Sequence, residues 1–474
     1  MNFRTALLAA LAALITGAKA ADKPNVLFIF ADDQCYKTIG ALNNDEIKTP
    51  NLDRLVQRGT TMTHAYNMGG WNGAICVASR TMLVTGKYIW HAEAGAKTMK
   101  NDLDGQFWPQ LMSKAGYDTY FTGKWHVQAD TKKLFKVSRN VRGGMPKQTK
   151  AGYNRPIDGQ PDPWDPSDPK FGGFWEGGKH WSEVVADDAT DFLDMAKKSD
   201  NPFFMYIAFN APHDPRQAPK KYVDMYPSEK IKLPPSFLPE YPWKDAIGCS
   251  AKLRDEKLAP FPRTKNAVQV NRQEYYAIIT HMDTQIGRIL DHLEETGQAD
   301  NTYIFFTADH GLSVGHHGLI GKQSLFDHSI RVPFIATGPG IPSGKANAAP
   351  IYFQDVMATS LGLAGAEKPD HVQFQDILGV LKGQDKGHLD AISGSYINVQ
   401  RCVIEGGHKL ILYPKIKKAL LFDLEADPEE ITDLADKPGS KEKMKALFAT
   451  LLKLQKENGD RLDLTGTFPE LVSK

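Results

Sequence analysis

The first strand of the fold is predicted at Asn25-Val26-Leu27-Phe28-Ile29-Phe30-Ala31, a continuous apolar run that ends in Asp32-Asp33. A run without polar alternation is expected of a strand covered on both faces, as in a parallel sheet. In open α/β sheets, ligands bind beyond the carboxyl ends of the strands. Two adjacent carboxylates there suit a hard divalent cation, although a helix cap or a solvated turn would explain an isolated pair equally well.

The same alternation of buried strands and helical patterns continues outward along the chain. It predicts an α/β fold, with a large mixed, mostly parallel sheet sandwiched by helices. Further strands are predicted at residues 117–122, 202–209, 303–308 and 332–336. Helices are predicted to begin at residue 49 and to cover residues 107–115, 183–198, 272–296 and 355–363.

After about Gly383 the pattern shifts to shorter alternating strands followed by a helix. The strands are expected at residues 396–399, 408–413 and 419–423, and the helix at residues 441–456. This pattern predicts a smaller C-terminal antiparallel sheet plus helix. We therefore divide the chain into an α/β domain at 21–383 and a C-terminal α+β subdomain at 384–474.

Residues 1–20 are typical of a secretory signal peptide. Arg4 precedes an apolar run at 6–15, and Ala18-Lys19-Ala20 forms a small-residue cleavage site. We expect a periplasmic or extracellular location. The apolar run is too short for a stable membrane span, and no later segment is long and apolar enough for one.

Composition limits the partners of the chain. The 57 basic and 56 acidic residues leave a net charge of +1, which argues against a nucleic-acid or membrane-surface role for the whole molecule. The four cysteines are few for an exported chain of this size, so disulfides are not expected to hold it together. If Cys76 is consumed by modification, at most one bridge is possible, and its pairing stays open.

A Gly-rich approach leads into a predicted helix at Gly70-Trp71-Asn72-Gly73-Ala74-Ile75-Cys76-Val77-Ala78-Ser79-Arg80, which Gly86 ends. Cys76 is expected near the helix N-terminus, where unpaired N–H groups and the helix dipole favour negative charge. Arg80 lies one turn further on and faces the same side. The segment predicts an anion site that contains a potential nucleophile.

Two further strand ends carry basic or titratable side chains. Lys124 and His126, in Gly123-Lys124-Trp125-His126, would project to one face of an extended segment. His213 lies between two prolines that restrict its backbone, as suits a positioned acid-base group. Taken alone, the first pair would more often be surface residues, and the second histidine could equally be structural.

The strand at 303–308 repeats the pattern of the first strand, because it ends in Asp309-His310-Gly311. If the two strands are parallel neighbours, Asp32, Asp33, Asp309 and His310 meet at one edge of the sheet. Lys322 follows in the same loop region. Oxygen-rich ligands favour Ca²⁺, with Mg²⁺ or Mn²⁺ as alternatives.

Cys76-Val77-Ala78-Ser79-Arg80 resembles the signature of type I sulfatases, with Ala78 where the family usually has proline. Residues 421–430 are similar to the family's C-terminal hairpin signature, and the other motifs stand in the family's order. The resemblance implies an alkaline-phosphatase-like fold and hydrolysis of sulfate esters. It also implies that Cys76 is converted to formylglycine by a maturing enzyme, and that the aldehyde is hydrated to a geminal diol.

The resemblance also implies roles for single residues. Lys124 and Lys322 would bind sulfate with Arg80, His126 would orient the diol, and His213 would protonate the leaving group. Cys76 would contribute a ligand to the cation as well, and Asp309 would accept a proton. The metal ligands implied are Asp32, Asp33, Cys76, Asp309 and His310, where the family often has asparagine at the last position.

The expected substrate is a sulfated carbohydrate, because export and an aromatic insertion at 130–180 suit a polysaccharide. The insertion's aromatic residues could stack on sugars or simply pack onto the domain. One alternative is a phosphomonoester or phosphonate hydrolase of the same superfold, since fold does not fix function. Another is a catalytically inactive carbohydrate-binding homologue. A thiol-disulfide protein is disfavoured because no Cys-x-x-Cys pair is present.

Overall fold

The computed structural model describes residues 23–96, 99 and 104–472, so the predicted signal peptide at 1–20 lies outside the described residues. The strands are β1 (Asn25–Ala31), β2 (Thr60–Met62), β3 (Ala65–Tyr66), β4 (Gly69–Gly70), β5 (Asp118–Lys124), β6 (Val137–Arg142), β7 (Trp175–Glu176), β8 (Lys179–His180), β9 (Phe203–Ala208), β10 (Thr302–Ala308), β11 (Arg331–Val332), β12 (Phe334–Thr337), β13 (Lys345–Asn347), β14 (Ile351–Tyr352), β15 (Ala391–Tyr396), β16 (Gln400–Glu405), β17 (His408–Tyr413) and β18 (Lys418–Asp423). The helices are α1 (Pro50–Arg58), α2 (Ile75–Thr85), α3 (Ile89–Ala96), α4 (Trp108–Lys114), α5 (Thr131–Leu134), α6 (Trp181–Ala196), α7 (Lys220–Val223), α8 (Lys265–Glu295), α9 (Asp327–Ile330), α10 (Asp355–Leu363), α11 (Leu378–Leu381) and α12 (Ser440–Glu457).

The main sheet has eight strands in the order β13-β2-β12-β10-β1-β9-β5-β6. Strand β1 pairs in parallel with both β10 and β9, and β9, β5 and β6 continue the parallel array. Strand β12 is antiparallel to both of its neighbours. The prediction of a large mixed, mostly parallel sheet is confirmed.

Both faces of the main sheet are covered by helices. On one face, the ring of Phe28 in β1 lies 5.1 Å from that of Trp108 in α4. On the other, Tyr120 of β5 packs 5.3 Å from Phe192 of α6. Every residue of β1 after Asn25 is buried, which explains why its sequence is an unbroken apolar run.

Several boundaries differ from the sequence prediction. Helix α8 begins at Lys265 rather than at residue 272, because the side chain of Thr264 caps it by accepting from the Ala267 N–H. The strand predicted at 332–336 is divided between two sheets at Pro333, which has no N–H for the ladder. The strand predicted at 396–399 is wrong, because this alternating segment turns between β15 and β16, with Ile397 at φ 38°. Strand β6 lies within the aromatic insertion at 130–180, where the sequence pattern predicted no strand.

The C-terminal antiparallel sheet and its helix are confirmed. Strands β18, β17, β16 and β15 form an antiparallel array, and α12 packs against it. A fifth strand, β4, comes from the segment just before α2 and pairs in parallel with β15. Gly69 permits this approach, because a Cβ there would lie 2.0 Å from the Ser395 carbonyl oxygen. The sheet crosses the proposed domain division at residue 383, which stays a prediction.

All four cysteines lie within the described residues, and all are free and buried. The fold is therefore held together by packing and polar contacts, as the low cysteine count predicts. Across the described part of the chain, no helix combines the length and apolar character required to cross a membrane.

Candidate active site

The order of the main sheet brings four sequence motifs together at one edge. Strands β10, β1, β9 and β5 are consecutive neighbours, and their carboxyl ends lead into the segments that contain Asp309, Asp32, His213 and Lys124. Backbone hydrogen bonds tie these ends to one another: Asp309 N–H donates to Ala31 at 3.2 Å, and Asp32 N–H donates to Ala211 at 3.0 Å. The predicted convergence follows from this topology.

Four buried side chains form a group that could hold a metal ion. One ligand atom from each of Asp32, Asp33, Cys76 and Asp309 lies within 4.8 Å of the others. Carboxylate oxygens suit hard cations such as Ca²⁺ or Mg²⁺, whereas a thiol sulfur does not. The donor set would fit a hard cation best if position 76 carried oxygen, as a hydrated aldehyde would.

His310 is not a member of this four-residue group. Its Nδ1 lies 3.0 Å from the Gly311 carbonyl oxygen, and its buried Nε2 has no partner among the described residues. Burial lowers the pKa of His310 to about 4, which keeps the ring neutral. A neutral ring that donates through Nδ1 leaves a lone pair on Nε2, the form in which histidine binds metals. Its role as a ligand stays a prediction.

Cys76 lies in the first turn of α2, as the sequence predicts. Its sulfur is 3.3 Å from Asp32 Oδ1, 3.6 Å from Asp33 Oδ1 and 3.0 Å from Lys322 Nζ. Burial, followed by the charges of Asp309, Asp32 and Asp33, raises the pKa of the thiol well above its ordinary value. The unmodified side chain is therefore a neutral thiol and a poor nucleophile.

Three buried cations face the three carboxylates. Arg80 donates through Nε to Asp309 Oδ2 at 2.9 Å, and its Nη2 has no hydrogen-bond partner among the described residues. Lys322 Nζ contacts both oxygens of Asp33, at 2.7 and 2.6 Å. Lys124 donates to Asp32. Formal charges balance in the buried site, as burial of charge requires.

The three carboxylates differ in their electrostatic environments. Burial, with the charge of Asp309, raises the pKa of Asp32 to about 6. Burial also opposes ionisation of Asp33 and Asp309, but the cations outweigh it and lower both pKa values. Lys322 is the main cation for Asp33, and Arg80 is the main cation for Asp309.

Lys124 is the last residue of β5 and directly follows a position at which the backbone requires glycine. A Cβ at Gly123 would lie 1.8 Å from the Ala208 carbonyl oxygen, so only glycine fits beside that strand. Strand β5 ends at Lys124, and His126 follows at φ 55°. The sequence predicted that the two side chains project from one extended segment. This prediction is wrong, because the strand ends at Lys124 and His126 has a positive φ. Burial and the neighbouring cations lower the pKa of His126 to about 2, and its Nδ1 has no partner within the described chain.

His213 is held by the residue that follows it. Its Nδ1 lies 2.8 Å from the Asp214 carbonyl oxygen and 3.2 Å from Asp214 Oδ1. Its Nε2 lies 3.5 Å from Asp33 Oδ2, at the metal-compatible group. Burial raises the pKa of Asp214, but Arg254 and His213 outweigh it and hold that pKa well below its ordinary value.

An open cavity of about 290 Å³ lies over these groups. Sequence reasoning identified four of the side chains that line it but missed Arg254 and Asp255, which lie in an irregular loop with no recognisable motif. Within the insertion, the ring of Trp164 packs 4.6 Å from that of Phe171, and none of the described aromatic residues of the insertion is among those that line the cavity. The lining residues are Gly73, Ala74, Cys76, His126, Gly144, Met145, His213, Leu253, Arg254, Asp255, Lys322 and Gln323.

Comparison with known proteins agrees with this geometry. An ulvan-active sulfatase of Formosa agariphila is 27% identical over 457 residues, which covers 92% of this chain and 82% of that protein. A structure in complex with its substrate D-glucosamine-2-N,6-O-disulfate has a TM-score of 0.72 at 23% identity, covering 93% of this chain and 99% of the other. The phosphonate monoester hydrolase of Agrobacterium radiobacter also has a TM-score of 0.72, at 21% identity, covering 92% and 96% of the two chains.

The two structural similarities concern the fold alone, which is alkaline-phosphatase-like. Matches to two family models identify the family of the chain more specifically than the fold does. The sulfatase model matches residues 24–366, and the model of the C-terminal part of N-sulphoglucosamine sulphohydrolase matches residues 315–457. With the cysteine signature at the base of an open cavity and a match over most of its length, the chain belongs to the sulfatase family of sulfuric ester hydrolases.

Proposed function

We propose that this protein removes sulfate from a sulfated carbohydrate, using a formylglycine made from Cys76 and a divalent cation, with Ca²⁺ the first choice. The observation that carries the proposal is the position of Cys76. Its sulfur lies within one group with three carboxylates, contacts Lys322, and lines the open cavity. An anionic sulfate ester entering the cavity would meet a cation and basic side chains at this point.

The formylglycine and the divalent cation have separate tasks. A hydrated formylglycine supplies a hydroxyl as nucleophile and a second hydroxyl that allows sulfate to be released. A divalent cation held by Asp32, Asp33, Asp309 and position 76, with His310 as a further predicted ligand, supplies positive charge that lowers the pKa of the attacking hydroxyl.

The side chains of the site then bind and orient the ester. Lys124, Lys322 and Arg80 neutralise the negative charge of the sulfate group, which grows on its oxygens in the transition state. Because all three are buried, they need no reorganisation of solvent when the charge develops. Asp309 has both carboxylate oxygens engaged, by Arg80 and by the Asp33 N–H. This arrangement favours a role in holding positive charge over the predicted role as proton acceptor.

Two histidines on the cavity wall, His213 and His126, have roles in the reaction. His213 Nε2 faces the metal-compatible group, so it protonates the oxygen of the departing alcohol when the sulfur–oxygen bond breaks. Such general-acid catalysis contributes about 10²–10⁴-fold. His126 is neutral, and its Nδ1 has no partner within the described residues, so it orients the diol through a hydrogen bond.

Similar proteins and the size of the cavity both support a sulfated carbohydrate as the substrate. The relative named above is called ulvan-active, and the substrate in the similar structure is a sulfated glucosamine. The cavity of about 290 Å³ also has room for a sugar ring. We further propose that the protein acts in the periplasm or outside the cell, after removal of residues 1–20, and that a formylglycine-generating or sulfatase-maturing enzyme modifies it first.

The proposal is tested by combining mass spectrometry with a substrate screen. Protein from its native host should yield a Cys76 peptide with the mass of formylglycine, and the purified enzyme should release sulfate from sulfated oligosaccharides. An aryl phosphate and a phosphonate monoester serve as competing substrates. Preferential turnover of the phosphorus esters by the modified enzyme would overturn the assignment, and binding without any turnover would favour the inactive homologue.

The cation is tested separately through stability. Treatment with EDTA should abolish turnover, and Ca²⁺ should restore it and raise the melting temperature. A cation at about 100 times its dissociation constant adds about 2.7 kcal/mol to the free energy of unfolding. Asp33→Asn should lose this stabilisation. Asp118→Asn serves as the control, because Asp118 is a buried, lysine-paired carboxylate at the opposite end of β5. Equal stabilisation of both variants by Ca²⁺ would contradict the proposed site.

A further inference from the structure

The carboxylate of Asp214 has no role in the reaction as described so far, although it directly adjoins the proton donor. We propose that Asp214, clamped by Arg254, is a positioning residue that fixes the ring of His213 with Nε2 toward the leaving-group oxygen. The inference rests on the proposed function, because it concerns the step in which the alcohol departs.

The contacts of His213 assign different tasks to its two nitrogens. Nδ1 has two acceptors on the same residue, the carbonyl oxygen and Oδ1 of Asp214, at 2.8 and 3.2 Å. Nε2 is 3.5 Å from Asp33 Oδ2 and so faces the reaction centre. With its proton on Nδ1 held by these oxygens, the ring cannot flip without losing both contacts. The proton available for transfer is therefore the one on Nε2.

Arg254 keeps the Asp214 carboxylate in place. Its guanidinium donates to both oxygens of Asp214 and also to Asp255, which in turn accepts from Gln323. Asp214 is only 4% exposed, so its carboxylate has lost nearly all contact with bulk water. A two-point contact from a planar guanidinium holds a carboxylate in one orientation. Arg254 thus connects its own segment of the cavity wall to Asp214, and through Asp214 to the general acid His213.

The chemical consequence depends on the leaving group. As the sulfur–oxygen bond breaks, its electron pair remains on the alcohol oxygen, which takes the proton from His213 Nε2, while the proton on Nδ1 stays beside Asp214. A strongly basic leaving oxygen requires this proton, whereas 4-nitrophenolate leaves readily without it. A misplaced acid therefore slows poor leaving groups more than good ones. General loss of structure slows both equally.

The experiment compares two aryl sulfates, 4-nitrophenyl sulfate and the less activated phenyl sulfate, in wild type and Asp214→Asn. Enzyme preparations are matched by their formylglycine content, measured by mass spectrometry. We expect the variant to lose about tenfold or more in kcat with phenyl sulfate but less than about threefold with 4-nitrophenyl sulfate, with KM little changed. His213→Ala should have the same gradient with a larger amplitude.

A matched control is available in the C-terminal sheet. Asp460 makes a similar two-point contact with Arg401, at 2.6 and 2.9 Å, and is similarly buried. Asp460→Asn should lack the leaving-group gradient. Arg254→Gln provides a second variant that keeps the acidic residue, and it should have the gradient in reduced form even if Asp214→Asn does not fold. Parallel losses on both esters, or the same gradient in Asp460→Asn, would overturn the inference. Wild-type enzyme that carries formylglycine but cleaves neither ester would instead contradict the proposed function.

Discussion

Cys76→Ala is expected to abolish sulfate ester hydrolysis, with a loss of at least about 10⁴ in kcat, the scale seen when an enzyme loses its nucleophile. Alanine cannot be converted to an aldehyde, so no hydroxyl stands between the three carboxylates and Lys322. The variant should still fold, because the contacts of the lost sulfur with Asp32 and Asp33 are long, at 3.3 and 3.6 Å, and Lys322, which lies 3.0 Å from the sulfur, stays paired with both oxygens of Asp33. The measurement is initial-rate sulfate release alongside thermal unfolding.

Cys402→Ala is the matched control for this experiment. Cys402 is also free and fully buried, but it lies in β16 of the C-terminal sheet, outside the cavity. It should keep the wild-type rate in its folded fraction. Substantial turnover by Cys76→Ala would exclude chemistry at position 76, and an equal loss in Cys402→Ala would mean that any buried cysteine is needed for folding.

Lys322→Ala is expected to lower kcat/KM by about 10²–10³, the usual loss for one charged donor that stabilises the transition state. Lys322 Nζ touches both oxygens of Asp33 and the sulfur of Cys76, so its removal takes away the cation that faces both the nucleophile and the sulfate. The measurement is kcat/KM on an aryl sulfate, corrected for the folded fraction and for formylglycine content.

Lys409→Ala separates this effect from the general cost of deleting a buried lysine. Lys409 is fully buried and also meets two acids, Asp327 at 2.6 Å and Glu430 at 2.7 Å, where the C-terminal sheet packs on the main domain. Its removal should lower the free energy of unfolding by about 3–5 kcal/mol, because two buried carboxylates lose their partner. The kcat/KM of its folded fraction should stay unchanged. Equal kinetic losses in both variants would assign Lys322 a structural role only.

Much of the fold could be predicted because its signals are local. Strands β1, β9 and β10 are apolar runs bounded by polar residues, and α2 ends at Gly86, whose φ of 69° suits glycine. The predictions failed where local signals were ambiguous. Residues 396–399 alternate like a strand but turn, and α8 begins before residue 272 because the Thr264 side chain caps it.

The residues of the candidate site also include some that the sequence could identify and some that it could not. Residues at strand ends, such as Asp32, Asp309 and Lys124, could be identified because the carboxyl ends of the strands in such a sheet are where ligands bind. Arg254 and Asp255 could not be identified, because nothing near them in the sequence marks a site. Arg254 matters because it contacts Asp214, which lies 40 positions away along the chain, and Asp255 is connected to Asp214 through Arg254.

By itself, the sequence determined the helices and strands with strong periodicity, the side chains available for chemistry and, through its cysteine signature, the resemblance to a family. Only the tertiary structure decided which carboxylate meets which cation, that β4 joins the C-terminal sheet, and that Arg254 clamps the residue beside the proton donor. The physical reason is separation along the chain. Lys322 and Asp33 are 289 positions apart, and such contacts depend on the order of the strands in the sheet, which no local pattern encodes.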